Sequence, residues 1–338
     1  MTATAWSGAP SASAARPGAV LPEAVLPEAV WRERERRHHE RVDALLAGAR
    51  ARAGRGEEHP VEDFLFTYYS HRPSALRRWH PGAGTALDGP GALERAALRD
   101  HVVVPTGADG SPARGVTLDV AAFLARRGDA VRHVRALLAA TAARPAHLGC
   151  FGLHEWAMAY RAGQDGVRHA AWPLRLGGEG TDAVVEAARI RCSHFDAFRF
   201  FAPAARPLNA LQPGRGDTVA LEQPGCLHAT MDLYKWAYKL SPATPSELVA
   251  DCFELARDVR GLDMRASPYD LSALGYEPVR IETPEGRARY VHEQRAFAER
   301  GAVLRARLLE VCEGQLAPAL PAAGSGAGAR AGEPGAAR

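Results

Sequence analysis

The sequence predicts a mainly α domain with minor β content. Apolar residues recur at helical spacing over long segments, proline and acidic residues mark several helix first turns, and strand signals are few. Trp31–Ala53 carries Val42, Leu45, Leu46 and Ala49 on one face. Pro60, followed by Glu62 and Asp63, suits a helix first turn, where the dipole favours acids. Asp119 can cap a segment running to Ala143, with a break expected at Gly128. Phe151–Arg161 reads as another helix. Thr244-Pro245-Ser246-Glu247 predicts a capping box with proline at the first helical position, and Leu248, Cys252, Leu255 and Val259 form the stripe behind it. Thr283-Pro284 starts a last long helix with Tyr290, Phe297, Leu304 and Leu308 roughly in line. The strand candidates are His101–Pro105 and Trp172–Leu176.

The expected organisation is a disordered segment 1–30, one folded body 31–313, and a disordered Ala/Gly-rich tail 314–338. A tandem Leu-Pro-Glu-Ala-Val repeat at 21–30 is too short to build a fold. Hydrophobic content of 46% and charged content of 24% are ordinary for a globular protein. A net charge of +3 gives no global positive field for nucleic acid. Five cysteines without a C-x-x-C pair argue against a disulfide framework, a disulfide-linked partner or a zinc ribbon. No apolar run reaches transmembrane length, and no secretory signal is visible, so the expected location is cytoplasmic, away from membranes.

Lys235 and Lys239 are the only two lysines; the other 40 basic residues are arginine. Isoleucine occurs twice and asparagine once. This is the mark of a GC-rich gene, in which residues with AT-rich codons survive where packing or chemistry requires them. They concentrate in windows 59–69, 150–161, 190–209, 226–242 and 251–281.

Several constellations in these windows can carry chemistry. His154-Glu155 lacks the second histidine of a zincin motif, because position 158 is Met. It is either half of a metal site or a core histidine capped by its neighbour. His194-Phe195-Asp196, followed by Phe198 and Arg199, joins an aromatic cluster to one carboxylate, which suits a flat, electron-poor ring. If 226–242 is helical, His228, Asp232, Lys235 and Lys239 share a stripe, either a wet face or a cleft wall. His59 and His80 extend a possible set of five histidines, His59, His80, His154, His194 and His228. Two of them with one carboxylate would hold iron or zinc. Asp251, Glu254, Asp258 and Asp263 read as an acidic set, the first three on a solvated helix face.

The segments CFGLHEWAMAYR, CSHFDAFRFF, CLHATMDLYKWAYKLSP and DMRASPYDLSALGYEPVRIETPEG resemble an actinobacterial family labelled 3-methyladenine DNA glycosylase. The resemblance covers most of 31–313. It implies a hydrolase that needs no cofactor, binds DNA and everts an alkylated purine. On that reading Asp196, or Asp232, stabilises the sugar cation, with His228 and Lys235 nearby. Phe195, Phe198, Arg199, Tyr234, Trp236 and Arg161 would bind the base and phosphates. Leu176-Gly-Gly-Glu-Gly-Thr-Asp-Ala183 stands where a helix-hairpin-helix glycosylase holds phosphate, before a helix expected at Asp182–Arg191, but Glu179 would repel that phosphate. Two other classes stay open: a metal-dependent enzyme, with iron or zinc on His59, His154, Glu155, His194 and His228, acting on a small molecule; and a nucleic-acid-binding module without catalysis.

Overall fold

The structure, a computed structural model, describes residues 22–107, 113–162 and 169–317. Of the segments expected to be disordered, 1–21 and 318–338 lie outside the described residues. The remainder is built into the fold. Strand β1 (Ala24–Leu26) and helix α1 (Glu28–Gly54) place the start of the body before residue 31. Short helices α2 (Phe64–Tyr68) and α3 (Pro73–Arg77) follow. Strands β2 (Thr85–Asp88), β3 (His101–Pro105) and β4 (Arg114–Leu118) then complete one small sheet in the order β1-β2-β4-β3. Strand β1 runs parallel to β2, the other pairs are antiparallel, and Val103 opposes Val116.

The rest is helical: α4 (Val120–Ala142), α5 (Leu153–Ala159), α6 (Gly177–Ala187), α7 (Phe195–Phe198), α8 (Thr218–Leu221), α9 (Leu227–Lys239), α10 (Ser246–Arg265) and α11 (Pro284–Leu316). Helix makes up 59% and strand 7%, so the mainly α class holds. Asp119 caps α4 by accepting from the Ala122 N–H at 2.9 Å, and the helix runs unbroken through Gly128. Thr283 caps α11 by accepting from the Gly286 N–H at 3.1 Å.

Local expectations fail where tertiary partners claim the side chains. Thr244 does not cap α10; Pro245 occupies that place. Ser246 Oγ accepts from the His80 N–H at 2.8 Å, and Glu247 Oε1 receives Arg34 and Trp79. Trp172–Leu176 contributes one bridge, Leu174 to Tyr269, rather than a strand. The glycine-rich hairpin expected at 176–183 is instead the first turns of α6, which begins at Gly177 and ends at Ala187. Pro60 lies in a turn ahead of the short α2.

Helix α9 forms the centre, packed along α10 and α11, with α4 against α11 and, through His133 on Trp236, beside α9. Ten of its thirteen residues are buried, so it is covered on all sides. Gly301 lets α11 approach closely: a Cβ there would lie 2.9 Å from Thr230 Cγ2 of α9. Trp31 and Trp79 stack at 6.5 Å in a satellite cluster beside the sheet. No helix of the described residues is long and apolar enough to cross a membrane.

Candidate metal centre

Two buried clusters of histidine and carboxylate adjoin, His228 of the first facing His194 of the second at 5.3 Å between rings. In each, one ligand atom from every member lies within 4.8 Å of the others. The first is His154, His228 and Asp263; the second is His194, Glu222 and Asp232. Their segments are far apart in sequence and meet only through helix packing. Gly152, at φ 65, turns the chain into α5 in a left-handed conformation that glycine adopts without strain. Trp156 of α5 then donates its indole N–H to the Ala266 carbonyl at 2.8 Å. These contacts seat α5 on the end of α10 and set His154 against Asp263.

In the first cluster His154 Nε2 lies 3.2 Å from Asp263 Oδ1 and 3.3 Å from Oδ2, hydrogen-bonding the latter. Arg260, 1% exposed, donates Nη1 to Glu155 Oε1 at 2.8 Å and to Asp263 Oδ2 at 3.0 Å. Its guanidinium stacks 3.7 Å from the Phe64 ring centroid. Asp263 Oδ1 and Glu155 Oε2 are buried without hydrogen-bond partners. Burial disfavours charge on Asp263, yet His154 and Arg260 outweigh it and hold the carboxyl well below its usual range. Burial also opposes charge on His154, which Asp263 and Glu155 nevertheless raise. Burial pushes His228 well below its ordinary value, so its imidazole is neutral, the form that ligates metals. His228 has no hydrogen-bond partner among the described residues, and its ring packs edge-on to His154 at 4.3 Å.

In the second cluster His194 Nε2 is 3.4 Å from both Glu222 Oε1 and Asp232 Oδ2. Neither of its ring nitrogens has a hydrogen-bond partner. Asp232 Oδ1 accepts from the Tyr69 hydroxyl at 2.7 Å, and Oδ2 accepts from Lys235. Lys235 also reaches Asp196 Oδ2 at 3.1 Å. Burial lifts Glu222 to about 7. Burial would also raise Asp232, but Lys235 and His194 reverse this and hold it far below the usual range. The ring of His228 sits 5.3 Å from that of His194.

His154 and His228 also line a narrow cavity with Cys150, Cys192, Cys226 and Tyr290. The centre of a water molecule can move through about 20 Å³ of it, which is room for one or two waters. An open groove elsewhere, walled by His39, Arg50, Arg72, Arg77 and Arg78, shares no residue with the clusters.

Three of the five expected histidines therefore converge: His154, His194 and His228. His59 does not join them. Its Nδ1 accepts from the Val61 and Glu62 N–H groups, and its ring lies against Tyr276. His80 faces His101 instead, at 6.3 Å between rings. Glu155 sits behind the first cluster, held by Arg260. Asp196, Asp232 and Lys235 are joined by the lysine. The expected aromatic pocket is not formed, because its members point into different surroundings. Phe195 lies under Arg215 at 5.8 Å, and Phe198 packs on Phe201 in the core at 5.1 Å. Tyr234 is buried against Tyr69 and Phe253, its hydroxyl 2.8 Å from His71. Trp236 lies beneath Lys235 and Lys239. Arg199 pairs with Asp196 and covers Phe200. Arg161 is exposed and paired with Glu186.

The sequence reading missed Glu222, Arg260 and Tyr69, and grouped Asp263 with an acidic set. Asp263 is 1% exposed, whereas Asp251, Glu254 and Asp258 pair with Arg41, Arg307 and Arg300 near the surface. Its position carried a signal, since 263 continues the buried stripe Cys252, Leu255, Val259 by one more turn. No family model, curated protein or solved structure matches the chain, so the chemistry of these two clusters is the basis for a functional reading.

Proposed function

We propose that the protein is a metal-dependent enzyme whose divalent ion, iron or zinc, is held by His154, His228 and Asp263. The observation that carries this is the convergence of two imidazoles and one carboxylate, all buried, from α5, α9 and α10, with both imidazoles lining a cavity sized for one or two waters. Two histidines and a carboxylate, with positions left open, suit Fe(II) chemistry and catalytic zinc alike. Asp263 Oδ1 is free of hydrogen bonds, and Arg260 fixes Oδ2 from behind, as groups behind a metal ligand commonly do. The open position would face the cavity and take a ligand of the size of water or dioxygen. A bound ion supplies Lewis acidity or redox chemistry there. The protein's own residues fix the ligands, exclude bulk water and shape the entry.

Elemental analysis of the purified protein tests this. The expected result is a transition metal bound in stoichiometric amount, with the equivalent held by this cluster lost in His228→Ala and helix content unchanged by circular dichroism. A protein that is isolated metal-free and takes up neither Fe(II) nor Zn(II) overturns the proposal.

The base-excision reading draws on the resemblance and on the joined carboxylates Asp196 and Asp232. A methylpurine is many times larger than the space beside the histidines. Its test is release of free 3-methyladenine from methylated DNA by the metal-free protein, abolished in Asp196→Asn. That result would displace the metal-enzyme reading.

A further inference from the structure

We propose a second divalent cation site, formed by His194, Glu222 and Asp232, so that, on the reading proposed above, the two clusters make a two-ion centre, His228 of the first facing His194 of the second. The second ligand set shares no residue with the first. Two of its donor separations match those around an ion, and the third pair of donors lies within 4.8 Å. Two donor atoms, each about 2.1 Å from a tetrahedral ion, are about 3.4 Å apart. His194 Nε2 stands 3.4 Å from both Glu222 Oε1 and Asp232 Oδ2. That spacing is long for a hydrogen bond, and none is made. His194 is 1% exposed; its Nε2 has only the two carboxylate contacts at 3.4 Å, and neither ring nitrogen makes a well-formed hydrogen bond, an arrangement that a closer partner would improve. Glu222, 3% exposed, and Asp232, fully buried, complete the set with two carboxyl groups that can turn an oxygen to a cation.

Lys235 competes for this place. Its ammonium holds Asp232 Oδ2, the oxygen that faces His194. It has an alternative partner in Asp196, already 3.1 Å away and nearer the solvent. The ion enters by exchange: Lys235 releases Asp232 and keeps Asp196. Tyr69 continues to hold Oδ1, fixing the carboxylate while Oδ2 changes partner.

The test is a titration of the metal-free full chain with Co(II), followed by its visible absorption, and with Zn(II), followed by calorimetry. Wild type is expected to bind two equivalents. Glu222→Gln, which conserves volume, and His194→Ala should each lose one equivalent and keep the other. Lys235→Met should bind the second equivalent more tightly, because the competing ammonium is gone. One equivalent in wild type that survives both Glu222→Gln and His194→Ala overturns the proposal, as do two equivalents unchanged by these variants. A single equivalent lost with Glu222→Gln but kept in Asp263→Asn supports this site and overturns the first one instead.

Discussion

Arg260 is the residue on which the first cluster's charge balance rests. It is 1% exposed and faces two buried carboxylates, Glu155 and Asp263. Removing one partner of a buried ion pair leaves uncompensated charge, at a typical cost of about 3–5 kcal/mol. Arg260→Met is therefore expected to lower unfolding free energy by that order in a urea titration. The double variant Arg260→Met, Glu155→Gln should recover part of the loss, since one stranded charge is removed. His71 gives the molecule an acid sensitivity that is independent of any ion. Burial depresses its pKa from 6.5 to about 4, and its ring stacks on Tyr238 at 4.4 Å. The folded pKa is the lower one, so the unfolded chain binds more protons between about pH 6.5 and 4. Stability is present above that window and is lost as pH falls through it, by roughly 2 kcal/mol for a partly buried group. In His71→Gln, unfolding midpoints measured from pH 7 to 4 should fall less steeply than in wild type.

At the scale of the element, helix placement was readable wherever periodicity and a terminal signal agreed. Asp119 and Thr283 both cap the helices expected of them, and the long stripes of α10 and α11 are buried as their spacing implies. The capping box at 244–247 failed because Ser246 and Glu247 serve residues 166 and 168 positions away, His80 and Trp79, which no local pattern reveals. The windows retaining AT-rich codons contain His154, His194, His228, Asp263 and Tyr69. Glu222 lies outside them all, in the turn after the four-residue α8, where neither period nor motif marks it. The aromatic reading failed for the opposite reason. Phe198 and Tyr234 were retained to fill the core, and composition cannot separate packing from binding. The contact of α9 with α11 tests the element scale directly. Gly301→Val forces side-chain atoms against Thr230, which lies between His228 and Asp232 on α9. Overpacking of this kind costs about 1–3 kcal/mol. The variant should unfold at lower urea and also bind Co(II) more weakly, although residue 301 belongs to neither cluster.

Over the whole molecule, the two clusters draw on α5, α9, α10 and the turns beside α7 and α8, so neither set of ligands exists in the unfolded chain. An ion bound only by the folded state must then stabilise the entire body. At free metal one hundred times the dissociation constant, the gain is about 2.7 kcal/mol. For a body of this size that corresponds to roughly 4–5 °C in melting temperature. The wild-type protein should therefore melt higher with saturating Zn(II) or Fe(II) under anaerobic conditions than after treatment with a chelator. In His228→Ala the shift from the first cluster should vanish, leaving only what the second contributes. In His228→Ala combined with Glu222→Gln, melting should be the same with metal and with chelator. A shift that persists in this double variant would mean that the ion binds elsewhere on the surface, since it would need neither central imidazole nor the buried glutamate.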